Sequence, residues 1–149
     1  MNFPILSSLI LLPSIGALFL FFTRSSKDNN ITLKYVALFT SLLNFFLSIY
    51  LWILFDQSTS QFQFLEDVVW IKGFINYKVG IDGISILFVI LTTFITPLCI
   101  ISVNNSVKKR LREFLIAVLI MESFMIGVFC SLDLVVFYLF FEAGLIPMF

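Results

Sequence analysis

The sequence has no histidine, two cysteines, four prolines and few charges, which make up 12% of its 149 residues. With Cys99 and Cys130 each inside an apolar run, neither a metal cluster nor a disulfide framework can be assembled from the usual side chains. Both cysteines read as small hydrophobes. Nine Lys and Arg are balanced by nine Asp and Glu, so the chain lacks the basic excess that holds a phosphate backbone, and nucleic-acid binding is set aside. A Gly-rich dinucleotide fingerprint is missing as well, so nicotinamide and flavin have no motif to bind here. What the chain has is apolar surface: 60% of its residues are hydrophobic, against roughly 45–50% in soluble domains.

That surface is gathered into five runs, Pro4 to Phe22, Tyr35 to Phe55, Ile81 to Val103, Phe114 to Cys130 and Leu132 to Phe149. Each approaches the roughly 20 residues that cross a hydrocarbon core. The runs are unbroken and lack the period-two alternation of barrel strands, so the expectation is an all-α membrane protein. About five transmembrane helices are expected, near 4–23, 34–55, 81–104, 113–130 and 132–149, joined by a loop at 56–80. The first run continues past the length of a signal-peptide core and shows no small-residue cleavage site, so it reads as a retained anchor. Lys and Arg crowd the first and third loops: Arg24, Lys27 and Lys34, then Lys108, Lys109, Arg110 and Arg112. The 56–80 loop has only Lys72 and Lys78. By the positive-inside rule, the basic loops face the cytoplasm or matrix and the N-terminus faces outward. Phe62, Phe64, Trp70, Phe74 and Tyr77 suit the outer loop to an interfacial position or a short hairpin.

A charged side chain at the bilayer centre costs at least about 2.5–3.5 kcal/mol, which makes the intramembrane acids the candidate functional residues. Glu142 stands near the middle of the fifth run, followed by Gly144 and by Pro147, which removes the helical donor of the Ala143 carbonyl. An unpaired carboxylate there favours its neutral form, whereas a neighbouring lysine favours the charged one, so Glu142 is poised for proton transfer as half of an ion pair. Hydrogen bonding to Tyr138 is the plainer alternative. Glu122 lies similarly deep in the fourth run, as a proton-path residue or a packing hydrogen bond. Pro97 frees the Thr93 carbonyl in the same way as Pro147 frees that of Ala143. Asp82 opens the third helix and Asp133 holds the same place at the fifth, where carboxylates cap free N–H groups. The 108–112 basic segment reads as a topology anchor, with lipid head-group contact as the lesser role.

Two stretches carry more than composition. Gly80-Ile81-Asp82-Gly83-Ile84-Ser85 with Leu91 to Ile100, and Leu132 to Phe149 with its Phe-Glu and Leu-Ile-Pro-Met, resemble the antiporter-like membrane-arm subunits of proton-translocating NADH:quinone oxidoreductase, respiratory complex I. Residues 56–70, with Gln61-Phe62-Gln63-Phe64, extend the likeness. Among these subunits the pattern is similar to chain 4, chain M in bacteria, more than to chains 2 and 5 or to multisubunit cation/proton antiporters. The resemblance implies the N-terminal part of a subunit of about fourteen helices built from inverted repeats with broken helices. It implies that Glu142 pairs with a lysine on a later helix during proton translocation. Glu122 falls at a position less uniformly acidic among relatives.

The resemblance further implies that NADH, FMN, iron–sulfur clusters and ubiquinone sit on partner subunits, with no cofactor or metal on this chain. The expected partners are the other membrane-arm subunits, especially chains 2 and 5, the chain or segment continuing after Phe149, and membrane lipid. No Lys or Arg follows Arg112, so the cation for Glu142 is expected from elsewhere. The alternatives are a membrane scaffold or assembly fragment without its own proton path, or a subunit of a cation/proton antiporter. Twenty Phe, with many Ile and Asn, suggest an AT-rich genome, so the mitochondrial inner membrane is favoured over a bacterial plasma membrane.

Overall fold

The computed structural model of the chain describes residues 3–24, 29–103 and 109–149; Lys27 and Lys108, both assigned to basic loops, lie outside them. Among the described residues five helices form in chain order: α1 (Ile5–Phe22), α2 (Asn30–Leu54), α3 (Ser85–Ser102), α4 (Leu111–Cys130) and α5 (Leu134–Met148). In lipid every backbone N–H and C=O must be satisfied within its own segment, which is why these apolar runs are helical. The first four are long and apolar enough to cross a membrane, and the chain is a multi-pass membrane protein. The fifth, also apolar, is described over 15 residues. Helix α2 begins at Asn30 rather than at residue 34, since hydropathy marks where the bilayer is, while helical hydrogen bonding runs on beyond it.

Between α2 and α3 the chain departs from an all-helical plan. Strands β1 (Gln63–Ile71) and β2 (Ile75–Ile81) pair antiparallel, so most of the expected 56–80 loop is a hairpin. Gly73 turns it at φ 85, a left-handed conformation that costs glycine little. Two register shifts bend β1, and Phe64 takes φ 55 within the first of them. The bends let β2 turn inward: Val79, Gly80 and Ile81 are buried, and the Leu132 N–H donates to the Lys78 carbonyl at 2.9 Å. Most of β1 is exposed, including Val68, Val69 and Trp70.

A carboxylate from the hairpin fastens it to α1. Glu66 accepts from the Ser7 N–H at 3.2 Å and from the Ser7 hydroxyl, which also bonds the Tyr77 hydroxyl at 3.1 Å. Ser7 is in the first turn of α1, where free N–H groups favour an acid. Burial pushes the Tyr77 hydroxyl above its ordinary value, opposed by its Ser7 bond and aided by the negative charge of Glu66. Asp82 accepts from the Ile84 and Ser85 N–H groups at 3.2 and 2.7 Å, and the Ser85 bonds hold its carboxyl below the usual range. Asp133 accepts from Val135 and Val136. Both aspartates thus act as the caps their positions foretell.

Helix α1 packs on α4 and α2, α2 on α3, α3 on α4, and α4 on α5. Helices α1 and α2 meet tightly at Gly16, where an added Cβ would lie 2.4 Å from Thr40 Cγ2. Thr40 is stiff at χ1 and cannot swing clear. Gly16→Val is therefore expected to lower the melting temperature of the detergent-solubilised protein by the equivalent of about 1–3 kcal/mol of overpacking. An unchanged melting curve would show that α1 and α2 can separate at no cost.

Candidate functional site: a polar layer across the helix bundle

The buried side chains fall into three layers. Near the hairpin, Ile5, Leu6, Leu9, Ile10, Leu51, Val79, Ile81, Ile86, Val89 and Ile126 form one apolar cluster. A second holds Ala17, Leu20, Leu33, Ala37, Ile100, Leu115 and Leu119. Chain order explains the pairing: each of α1 to α4 enters one cluster near one end and the other near its opposite end, so what lies between in sequence also lies between in space.

What lies between is polar. Ser14 on α1, Thr40, Ser41, Asn44 and Ser48 on α2, Thr92, Thr93 and Thr96 on α3, and Glu122 and Ser123 on α4 occupy these intermediate positions, and all but Ser14 are buried. On α2 the stripe Thr40, Asn44, Ser48 has i, i+4 spacing, which holds it on one helix face.

Glu122 is the one carboxyl among them, 1% exposed. The Asn44 Nδ2 donates to Glu122 Oε1 at 3.0 Å, tying α2 to α4. Ser123 beside it donates to the Ile10 carbonyl of α1 and accepts from the Ser14 hydroxyl at 2.8 Å. Ser48 and Thr93 join α2 to α3 at 2.8 Å. Helix–helix bonds of this kind hold membrane bundles together, since lipid removes the hydrophobic drive between helices.

Glu142 lies elsewhere. It is exposed on α5, a helix whose one buried residue is Val136. Among the described residues it has no hydrogen-bond or ion-pair partner, Tyr138 included. Neither does any such bond join it to Glu122, so the two acids singled out by hydropathy occupy separate environments. Apart from Lys72 and Lys78 of the hairpin, the basic residues described lie at the opposite helix ends, where Arg112 donates to the Thr23 carbonyl at 3.0 Å and Lys34 to the Ile101 carbonyl at 3.4 Å. Asn44 was not foreseen. Its signal was available, because it is the sole carboxamide in the run from Tyr35 to Phe55 and stands four residues from both Thr40 and Ser48.

A multi-pass helical segment with a buried carboxylate in a polar layer is the class of protein that fold and site define. The particular relatives are more specific. The chain is 50% identical over 145 residues to NADH-ubiquinone oxidoreductase chain 4 of Marchantia polymorpha, covering 97% of this chain and 29% of that protein. It is 48% identical over 153 residues to NADH-quinone oxidoreductase subunit M of Rickettsia conorii, covering 100% of the chain and 31% of that subunit. Arabidopsis thaliana chain 4 is 49% identical over 145 residues, 97% of the chain and 29% of the relative. The resemblance read from the motifs is thus borne out along the whole chain, which spans about three-tenths of the length of these relatives. No family model matches the chain.

The Asn44–Glu122 bond generates a prediction. Truncating one partner leaves the other buried and unpaired, at about 1–3 kcal/mol, whereas replacing both with apolar groups is nearly neutral. Glu122→Leu and Asn44→Leu are each expected to destabilise the solubilised protein by that amount, and the double variant by less than the sum of the two. Strict additivity in the double-mutant cycle would mean that the two side chains do not interact.

Proposed function

We propose that the chain is part of an antiporter-like membrane-arm subunit of complex I, of the chain 4 or subunit M type, which couples NADH:quinone electron transfer to proton translocation. The observation that carries this reading is the near-50% identity of the whole chain to such subunits in two plants and a bacterium. The multi-pass helical fold and the intramembrane acids agree with it. On this reading NADH, FMN, iron–sulfur clusters and ubiquinone belong to partner subunits, and the neighbours of the chain are other membrane-arm subunits, chains 2 and 5 foremost. The membrane is the mitochondrial inner membrane, with a bacterial plasma membrane as the alternative.

Glu142 is the proposed proton-transfer group. Its exposed place on α5 leaves it accessible to a cation brought by a further helix or subunit. Moving one charge through 100 mV is worth about 2.3 kcal/mol, a scale on which making and breaking one partly buried ion pair can follow the membrane potential. Glu122, buried against Asn44, is the second group in reach of a proton path. In the complete enzyme, Glu142→Gln is expected to cut NADH-driven proton pumping into vesicles by about tenfold or more, some 1.4 kcal/mol. Undiminished pumping would sink the assignment.

The proposed orientation puts the hairpin and the start of α1 outside, with Arg24, Lys34, Lys109, Arg110 and Arg112 inside. Ser60, exposed ahead of β1, offers a way to test it. A Ser60→Cys variant with Cys99 and Cys130 replaced by Ala should react with a membrane-impermeant thiol reagent from the outer side only. Labelling from the inner side would invert the topology.

A further inference from the structure

The polar layer contains an imbalance. Glu122 Oε2 and Asn44 Oδ1 are both buried and both lack a hydrogen-bond partner, although the same two side chains share the Nδ2–Oε1 bond. Two orphaned acceptors beside one satisfied contact is a costly arrangement, since a buried polar atom without a partner forfeits its hydration.

The neighbouring hydroxyls have no proton to spare. Thr40 donates to Val36, Ser41 to Leu38, Thr92 to Phe88 and Thr96 to Thr92, each onto a backbone carbonyl of its own helix, and the two protons of Ser48 and Thr93 are taken up by the bond between them and by the carbonyls of Phe45 and Ile90. Ser123 donates to Ile10, and Ser14 to Ser123. One donor is missing from the layer and two acceptors await it.

We propose that Glu122 is a proton-holding site: it is a neutral carboxylic acid at neutral pH, its Oε2–H donating to Asn44 Oδ1 while Asn44 Nδ2 donates to Oε1. A carboxylic acid and a primary carboxamide present matching donor and acceptor edges, so a single proton on Oε2 turns both orphans into one bond and closes a two-bond ring. Asn44 is then the positioning residue that holds the acid.

The charges around the pair fit. Helices α1 and α3 carry no charged residue along their lengths. On α2 the nearest charge is Lys34, ten residues from Asn44, and on α4 it is Glu113 and Arg112, nine and ten residues from Glu122. Ten residues are about 15 Å along a helix. Glu142 of α5 is exposed and of the same sign. None of these groups sits where it would hold a carboxylate charged, and a lone buried charge costs far more than a neutral acid. The inference rests on the side chains of this layer and is independent of the assembly proposed above.

Infrared difference spectroscopy on the purified protein, in liposomes at neutral pH, tests it. Wild type minus Glu122→Gln should show the loss of one neutral-carboxyl C=O band, without loss of carboxylate bands. In Asn44→Leu the same band should persist but move to higher frequency, because the acid has lost its acceptor. Loss of carboxylate bands in the Glu122→Gln difference, as a charged Glu122 bridged to Asn44 by water would give, overturns the proposal. A neutral-acid band that stays in place in Asn44→Leu overturns the pairing. Should Glu122→Gln fail to fold, wild type against Asn44→Leu still decides by the presence and shift of that band.

Discussion

The hydrogen bond between Asn44 and Glu122 is the constraint on which the bundle turns. It joins α2 to α4 at 3.0 Å with the carboxyl 1% exposed, in a solvent that offers neither side chain a substitute. In water, exposed partners of this kind could separate at small cost. In hydrocarbon, a separated carboxamide and carboxyl each carry their desolvation with them, so the register of α2 against α4 is specified by chemistry as well as by shape. The Ser14–Ser123–Ile10 and Ser48–Thr93 contacts extend the constraint to α1 and α3, and four helices meet in one polar layer.

The apolar clusters on either side have a different task. Leu and Ile on one helix pack as well against lipid as against another helix, so they fill space without choosing partners. Close approach supplies what they cannot. Gly16 brings α1 against Thr40, next to the polar layer, and Gly127 does the same for the ring of Phe140 on α5. At the hairpin end the unit is completed by Glu66, which accepts from the Ser7 N–H in the first turn of α1, and by Val79 and Ile81, which close the first cluster.

Much of the fold was legible from hydropathy. Five helices, their order, the caps at Asp82 and Asp133 and the gathering of basic residues at one end follow from local chemistry, because a bilayer imposes the same rule on every residue it covers. The hairpin was harder to read, since aromatic residues such as Trp70 and Phe74 suit an interface in many conformations and the strand pairing depends on bends at Phe64 that no alternation announces. The site was half legible. Depth along the chain marked Glu122 and Glu142 alike, yet depth is a property of position along a helix, and burial depends on its rotation. Rotation puts Glu122 among Asn44 and Ser123 and leaves Glu142 on the open face of α5.

The sequence by itself determined that the chain crosses a membrane, where its helices run, which acids are expensive, and, through Gly80 to Ser85 and Leu132 to Phe149, which subunits it resembles. Tertiary structure alone decided which polar side chains meet. Ser14, Asn44, Thr93 and Glu122 are scattered over more than one hundred residues, and no local rule relates them. They come together because antiparallel helices of similar length return the chain to the same depth four times, and a polar group at that depth has only other polar groups to bond with.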